Sequence, residues 1–239
     1  MEFSIITYNT FFNKAYEQVR NLFYQEKADI ICLQEVDTDE KNLSQFSNST
    51  FSLADYTNSF IQYNKIWGNA TFYNPKKFKL ISSTCIDLPR SFLEFITLIL
   101  RGINKPRTVL KTDFLFLPLK KKVTIYNLHL TPFATNGIRI KQLKETLNDI
   151  DNKSKNPIII TGDFNYPYGR KKFETLIHKF NLKEATNNIF HTIDIHIFWL
   201  FHYRVKLDYV LYKNIVNTFT KKIHIRQSDH FPILSIFKI

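Results

Sequence analysis

Cysteine is scarce in this chain. There are two in 239 residues, Cys32 inside ADIICLQEV and Cys85 in STCID, and neither sits in a metal-type spacing. Nothing here asks for a disulfide framework or an oxidising compartment, and both are read as buried or half-buried free thiols. Long hydrophobic runs are missing as well. The greasiest stretches, FLEFITLIL (92–100) and IFHTIDIHIFWLFHY (189–203), are too short or too polar to span a bilayer. The opening MEFSIITYNTFF runs straight into strand pattern with no basic n-region or cleavable apolar segment before it, so the expected location is the cytoplasm. No low-complexity break, linker or repeat divides the chain, which points to one domain over 1–239. Acidic side chains are short too: 21 Asp and Glu against 33 Lys and Arg leave a formal charge of +12. The excess gathers at Lys76-Lys77, Lys120 to Lys122, Arg170 to Lys172 and Lys221-Lys222. Such a surface favours a polyanionic partner, either nucleic acid or an acidic membrane face, although any single cluster is first of all a solvated surface. No protein partner is implied.

What is present is the composition of a soluble globular protein, 44% hydrophobic and 23% charged, in which strand and helix patterns alternate. FSIITYN reads as a strand, Lys14 to Glu26 as an amphipathic helix, and Asp29 to Gln34 as a buried strand ending at Glu35. NATFYN and KLISSTCI are strands about an Asn74-Pro75 turn, and RTVLKTDFLFLPL with KKVTIYNLHLT forms a hairpin turning at Lys120 to Lys122. A helix over 135–150, the strand IIITGDFN, a helix from Lys171 to Phe180, and the strands VKLDYVLY and FPILSIFKI complete the chain.

Several of these strands share one feature: an apolar run that ends in polar side chains. Asn9, Gln34-Glu35, Asn127 with His129, and Asp163 with Asn165 end four of them, Asp208 lies in a fifth, and Ser228-Asp229-His230 precedes the last. On an extended chain residues two apart share a face, so Asp163 and Asn165 point together while Phe164 turns back to the core. Catalytic groups held at strand ends on a rigid sheet are a recurring architecture. The histidines at 191, 196 and 202 are spaced by five and six, which suits neither one helical face nor a metalloprotease pair, and zinc is set aside there.

The segments TYNTF (7–11), LQEV (33–36), WGNATFY (67–73), KPRTVL (105–110), NLHLT (127–131), GDFN (162–165), LDYVL (207–211) and SDHFPI (228–233) resemble, in order, the motifs of the endonuclease/exonuclease/phosphatase superfamily. The resemblance implies a deoxyribonuclease I-like four-layer α/β sandwich, with two mixed β-sheets face to face, helices outside and the site at one end. It implies a hydrolase of phosphoester bonds dependent on Mg²⁺, with Mn²⁺ as the other candidate. Glu35 and Asp229 would be the metal carboxylates and Asn9 their neighbouring amide. Asp163 would orient or deprotonate the attacking water, with Asn165 helping to hold it. His230, its tautomer fixed by Asp208, would contact the scissile phosphate, His129 would be a second donor to it, and Arg107 a fixed positive charge. Repair enzymes of the exonuclease III type carry Tyr where this chain has His129, and the extended signatures of the inositol-phosphate 5-phosphatases are not evident. The expected activity is therefore a phosphodiesterase, an endo- or exonuclease on nucleic acid. A sphingomyelinase-like lipid phosphodiesterase at an anionic membrane is the alternative, and a catalytically inactive binding member ranks last.

Overall fold

The computed structural model describes residues 1–26, 28–47, 50–62, 64–90, 92, 95–96, 107–132, 134–151, 153–197, 201–225 and 227–239. Strand β1 (Glu2–Asn9) leads to helix α1 (Tyr16–Gln25), β2 (Ile30–Asp37) and the short α2 (Glu40–Ser44). Then come β3 (Ser52–Gln62), β4 (Lys65–Tyr73), β5 (Phe78–Asp87), β6 (Thr108–Phe116) and β7 (Lys121–His129). After α3 (Asn136–Asn148) follow β8 (Ile158–Asp163), α4 (Arg170–Lys179), β9 (Lys183–Glu184), β10 (Ile193–Ile197) and β11 (Phe201–Val205). Strands β12 (Asp208–Lys213), β13 (Val216–Lys222) and β14 (Ile233–Lys238) end the chain.

Two six-stranded mixed sheets result, ordered β13-β14-β1-β2-β4-β3 and β5-β6-β7-β8-β12-β9, while β10 and β11 pair as a separate hairpin. The burial pattern stacks them. Phe3, Ile5, Cys32 and Phe237 of the first sheet meet Phe114, Ile125, Ile159 and Val210 of the second in one apolar cluster. On the opposite face of the first sheet, Ile6, Ile31 and Leu33 pack under Ala15, Val19 and Leu22 of the α1 region and Leu43 of α2. Behind the second, Leu128, Ile160 and Tyr209 pack under Leu143 and Leu147 of α3 and Phe173 and Ile177 of α4. The period-two alternation along each strand thus builds an α/β sandwich of four layers.

The expected helices are found within two residues of their ends. Strands β3 and β13 have no counterpart in the sequence reading. Both are edge strands, and β3 buries the polar Thr57 and Ser59 where apolar alternation would have signalled a strand. Cys32 is buried as expected. Cys85 is exposed, because β5 is the edge of its sheet and turns most of its residues to solvent. Most of the FLEFITLIL stretch, and residues 198–200 of the 189–203 stretch, lie outside the described residues. No helix among the described residues is long and apolar enough to cross a membrane.

One buried charge group clamps the second sheet's edge. Glu184 of β9 is almost fully enclosed and accepts hydrogen bonds from both Arg170 and Lys206. Burial alone would push its carboxyl up, but those bonds and charges outweigh burial and hold it below its usual value. Lys206 is held low by its own burial despite Glu184, so the cation also depends on its partner. Glu184→Ala should therefore cost about 3 kcal/mol in urea unfolding, the usual penalty for orphaning a buried charge. A depressed folded value means that the stability from Glu184 is complete above its unfolded value of 4.5 and is lost as pH falls through the folded one. The acid limb of the wild-type stability curve should accordingly be steeper than that of the variant.

Candidate active site

The layer between the sheets is apolar at one end and polar at the other. Along β1 the inward residues run Phe3, Ile5, Thr7, Asn9, and along β8 they run Ile159, Thr161, Asp163. The polar half is an amide network in which Gln34, Asn69 and Asn127 all donate through their side-chain nitrogens, while Gln34 Oε1 and Asn69 Oδ1 have no partner among the described residues. Gln34 Nε2 donates to Asn127 Oδ1 at 2.7 Å and to Thr7 Oγ1 at 3.2 Å. Asn127 Nδ2 donates to the carbonyls of Leu33 and Ala70, and Asn69 Nδ2 returns to the carbonyls of Thr108 and Asn127. Buried amides without partners would cost a few kcal/mol each, whereas a connected set ties the sheets in one register.

At the rim above this floor the backbone departs from regular strand to aim side chains. Between Leu33 and Val36 strand β2 carries one residue more than β4, a bulge, and the extra turn falls at Glu35 with φ of 54°. Val36 then joins the same outward cluster as Leu33, and Glu35 comes to lie 3.7 Å from His129 of the facing sheet. A left-handed non-glycine residue costs on the order of 1 kcal/mol, a strain that marks functional rims. Gly162 has φ of 135°, and a Cβ there would lie 1.9 Å from the Leu128 carbonyl, so only glycine lets β8 approach β7 so closely just before Asp163. Asn165, at φ of 48°, folds back over Asp163.

Asp163 is the hub. Its Oδ2 accepts from Asn9 Nδ2 at 3.0 Å, across the sheets, and from Asn165 Nδ2 at 3.1 Å, while Oδ1 takes the Asn165 backbone N–H at 2.8 Å. Burial, together with the charges of Asp208 and Glu35, pushes the carboxyl up to about 7 against the opposing pull of His230. The two imidazoles beside it differ. His230 Nδ1 is 2.8 Å from Asp208 Oδ2 and its Nε2 is 3.7 Å from Asp163 Oδ2. Burial disfavours its charge, but Asp208 and Asp163 outweigh burial and raise it to about 10, so it is an imidazolium that donates to Asp208. His129 is lowered well below its ordinary value by burial and by the charges of Arg107 and His230. Its Nδ1 faces Arg107 Nη1 at 3.1 Å. A guanidinium only donates, so Nδ1 accepts and the proton of the neutral ring sits on Nε2. That Nε2 is buried, 3.6 Å from Asp163 Oδ2, and has no hydrogen-bond partner among the described residues.

Glu35 Oε2 is a second buried atom without a partner among the described residues, and burial raises its carboxyl. An enclosed carboxylate with an unused oxygen suits a hard divalent cation such as Mg²⁺, which needs only one or two such ligands. Asp229 acts electrostatically on Glu35 and is braced by Ser228, whose Oγ donates to Asp229 Oδ1 and to the Asn9 carbonyl. Among the described residues no three His, Cys, Asp or Glu side chains form a metal cage. Asn9 turns its amide nitrogen to Asp163 and its Oδ1 to the Phe11 N–H.

Glu35, Asp163, Asn165, Asn9, His129, Arg107, Asp208 and His230 thus gather at one end, with Asp229 beside them. In the sequence Gln34 and Asn127 are polar strand ends, and nothing there shows that they bond to each other. Sequence reasoning missed Ser228 as a brace and Phe60, whose ring lies 4.6 Å from the Arg107 guanidinium. It also missed Thr192, whose Oγ1 accepts the Asp208 N–H at 3.0 Å. Only Ser228, adjacent to Asp229, carried any signal. Of the unassigned histidines, His202 pairs with Asp194 at 3.3 Å on the separate hairpin, and His191 meets Lys222 at 2.9 Å.

Comparison with known proteins bears on the fold and the family. No curated protein matches the sequence. Among solved structures the chain is similar to an endonuclease/exonuclease/phosphatase from Bacteroides vulgatus, at 16% identity and a TM-score of 0.77, over 100% of this chain and 99% of that one. It is similar to a mannosyl-6-phosphatase from Bacteroides thetaiotaomicron at 16% identity, TM-score 0.73, over 99% and 100%. D. rerio TDP2, solved with a single-strand DNA product, aligns at 14% identity and TM-score 0.70 over 100% and 99%. At such identities these likenesses speak for the fold alone. The family model described as "Endonuclease/Exonuclease/phosphatase family" matches residues 6–230, nearly the whole chain, and the protein belongs to that family of phosphoester hydrolases.

Proposed function

We propose that the chain is a Mg²⁺-dependent phosphodiesterase that hydrolyses nucleic acid, as an endo- or exonuclease. The observation that carries this is the Asp163 carboxylate, gripped by amides from both sheets and flanked at 3.6 and 3.7 Å by one neutral and one cationic imidazole. Asp163 is enclosed and raised enough to take a proton from an incoming water, which Asn165 helps to hold. His129 offers an N–H without adding charge, and His230 offers an N–H with charge, so a non-bridging phosphate oxygen meets donors on both sides. Arg107 keeps His129 in the donating tautomer, and Asp208 holds His230 as the cation and fixes its ring. Glu35 and Asp229 would hold the cation, with Mn²⁺ able to replace Mg²⁺. That cation would supply charge neutralisation for the phosphate oxygens.

Nucleic acid as substrate is supported by the +12 charge and by the paired lysine turns, which suit a repeating phosphate chain. The lipid alternative keeps one observation, the exposure of Phe92, Phe95 and Ile96. Binding of oligonucleotides that weakens steeply with salt favours the nuclease, and salt-insensitive binding of anionic liposomes would reverse the assignment. The two free thiols suit the reducing cytoplasm proposed as its location.

Glu35→Gln should lower Mg²⁺-dependent hydrolysis at least a hundredfold while leaving the metal-free melting temperature unchanged or higher, since the amide removes a desolvated charge. The wild-type rise in melting temperature on adding Mg²⁺ should disappear in the same variant, and its persistence would remove Glu35 from the cation's ligands.

Asp208 and His230 should behave as one unit. Asp208→Asn and His230→Ala should each cut kcat/KM about a hundredfold, and the double variant should be little worse than either. Losses that multiply would show the two acting independently.

A further inference from the structure

Beside the phosphoester site lies a surface that its chemistry does not use. Three residues past Asn165, Tyr168 is 65% exposed, and across a cleft of about 250 Å³ Phe190 is 91% exposed. Arg204 and Lys206 line the same cleft. Both rings stand on hydrogen-bonded backbone. The Tyr168 carbonyl is bonded by Asn136 Nδ2 at 2.5 Å, the Tyr166 hydroxyl donates to the Gly169 carbonyl at 3.1 Å, and the Tyr209 hydroxyl donates to the Tyr166 carbonyl at 3.1 Å. Around Phe190, the Ile189 N–H is tied to the Thr186 carbonyl and the Thr192 N–H to the Val205 carbonyl. Thr192 Oγ1 in turn accepts the Leu207 and Asp208 N–H groups, so the loop bearing Phe190 shares a support with the Asp208–His230 pair.

A pair of exposed rings on a hydrogen-bonded frame, with the half-exposed Arg204 beside them and Lys206 held in the cleft wall by Glu184, joined by backbone to a phosphoester-cleaving centre, matches the way unpaired nucleobases are held. Rings stack on bases of any sequence, and guanidinium or ammonium groups follow the phosphates. Paired bases keep their faces inside the duplex and present none. We infer that Tyr168 and Phe190 form a stacking platform for one or two unpaired nucleobases next to the scissile bond, with Arg204, half exposed beside Asp194, meeting an adjacent phosphate. The platform gives the enzyme a preference for single-stranded nucleic acid. It rests on the proposed nuclease activity and specifies its substrate.

The test compares wild type with Tyr168→Ser, Phe190→Ser and the double variant. Their binding is measured by fluorescence anisotropy, without divalent metal, on a single strand, the same strand with abasic spacers, and the duplex. Hydrolysis of the single strand and of bis-(p-nitrophenyl) phosphate is measured with Mg²⁺, and melting temperatures confirm folding. The expected result is wild-type preference for the base-bearing single strand over abasic strand and duplex. Each substitution should weaken binding and raise KM about tenfold for that strand relative to the small diester. Wild type that cleaves the single strand but binds the abasic strand equally overturns the platform and leaves the nuclease standing. Wild type that binds bases through Tyr168 and Phe190 yet hydrolyses only the small diester overturns the nuclease and leaves the platform. Absence of strand binding, or variants that lose binding to anionic vesicles while keeping it to oligonucleotides, overturns the platform as well.

Discussion

The hydrogen bond on which the rest of the site depends is the 2.7 Å contact between Gln34 of one sheet and Asn127 of the other. Two sheets packed only through aliphatic and aromatic side chains are free to slide, since the hydrophobic effect is non-directional. An amide pair with every donor engaged tolerates no such slip. Asn127 Nδ2 reaches Leu33 and Ala70 carbonyls on β2 and β4, and Asn69 Nδ2 returns to β6 and β7, so the two sheets are stitched in both directions. Only with this register held does Asn9 stand 3.0 Å from Asp163. The cost of a polar seam in a core is accepted where a site must be placed to within a fraction of an ångström.

From the register follows the division of labour between the two histidines. Both rings are buried, and burial alone would leave both neutral. Asp208 makes His230 a cation, and Arg107 keeps His129 neutral with its proton on the cleft side. Two cationic rings would repel each other and Arg107, while two neutral ones would leave the paired carboxylates of Asp163 and Asp208 without balance. The same logic explains why strained backbone gathers here. Glu35 and Asn165 both lie at positive φ at the ends of adjoining sheets, where leaving the strand conformation points a side chain to the cleft without disturbing the packed layer below.

Read as a string, the chain already carries much of this. Isoleucine-rich runs closed by Asn9, Glu35 or Asp163 specify buried strands with polar ends, because a strand end is where an inward side chain can be both oriented and near water. The resemblance of the ordered motifs to a known superfamily implied the α/β sandwich and its residue set. The long helices were legible as segments, Lys14 to Glu26 from its amphipathic pattern. Edge strands β3 and β13 were not, since a strand with one free edge carries no strict apolar code.

Local pattern therefore determined which segments are strands and helices and which side chains face inward at the rim, since these depend on the two- and 3.6-residue periods of a single element. Of the pairings across the sandwich, the family resemblance implied only Asp208 with His230, and the others were decided by tertiary structure. Nothing near Gln34 in the chain announces Asn127, 93 residues away, as its partner. The bulge that swings Glu35 inward is a property of two strands of unequal count, not of either one. The opposite protonation of His129 and His230 likewise comes from Arg107, just before β6, and Asp208 on β12, each 22 residues from its ring. Charge state depends on distance and burial, and both arise only when the two sheets close on each other.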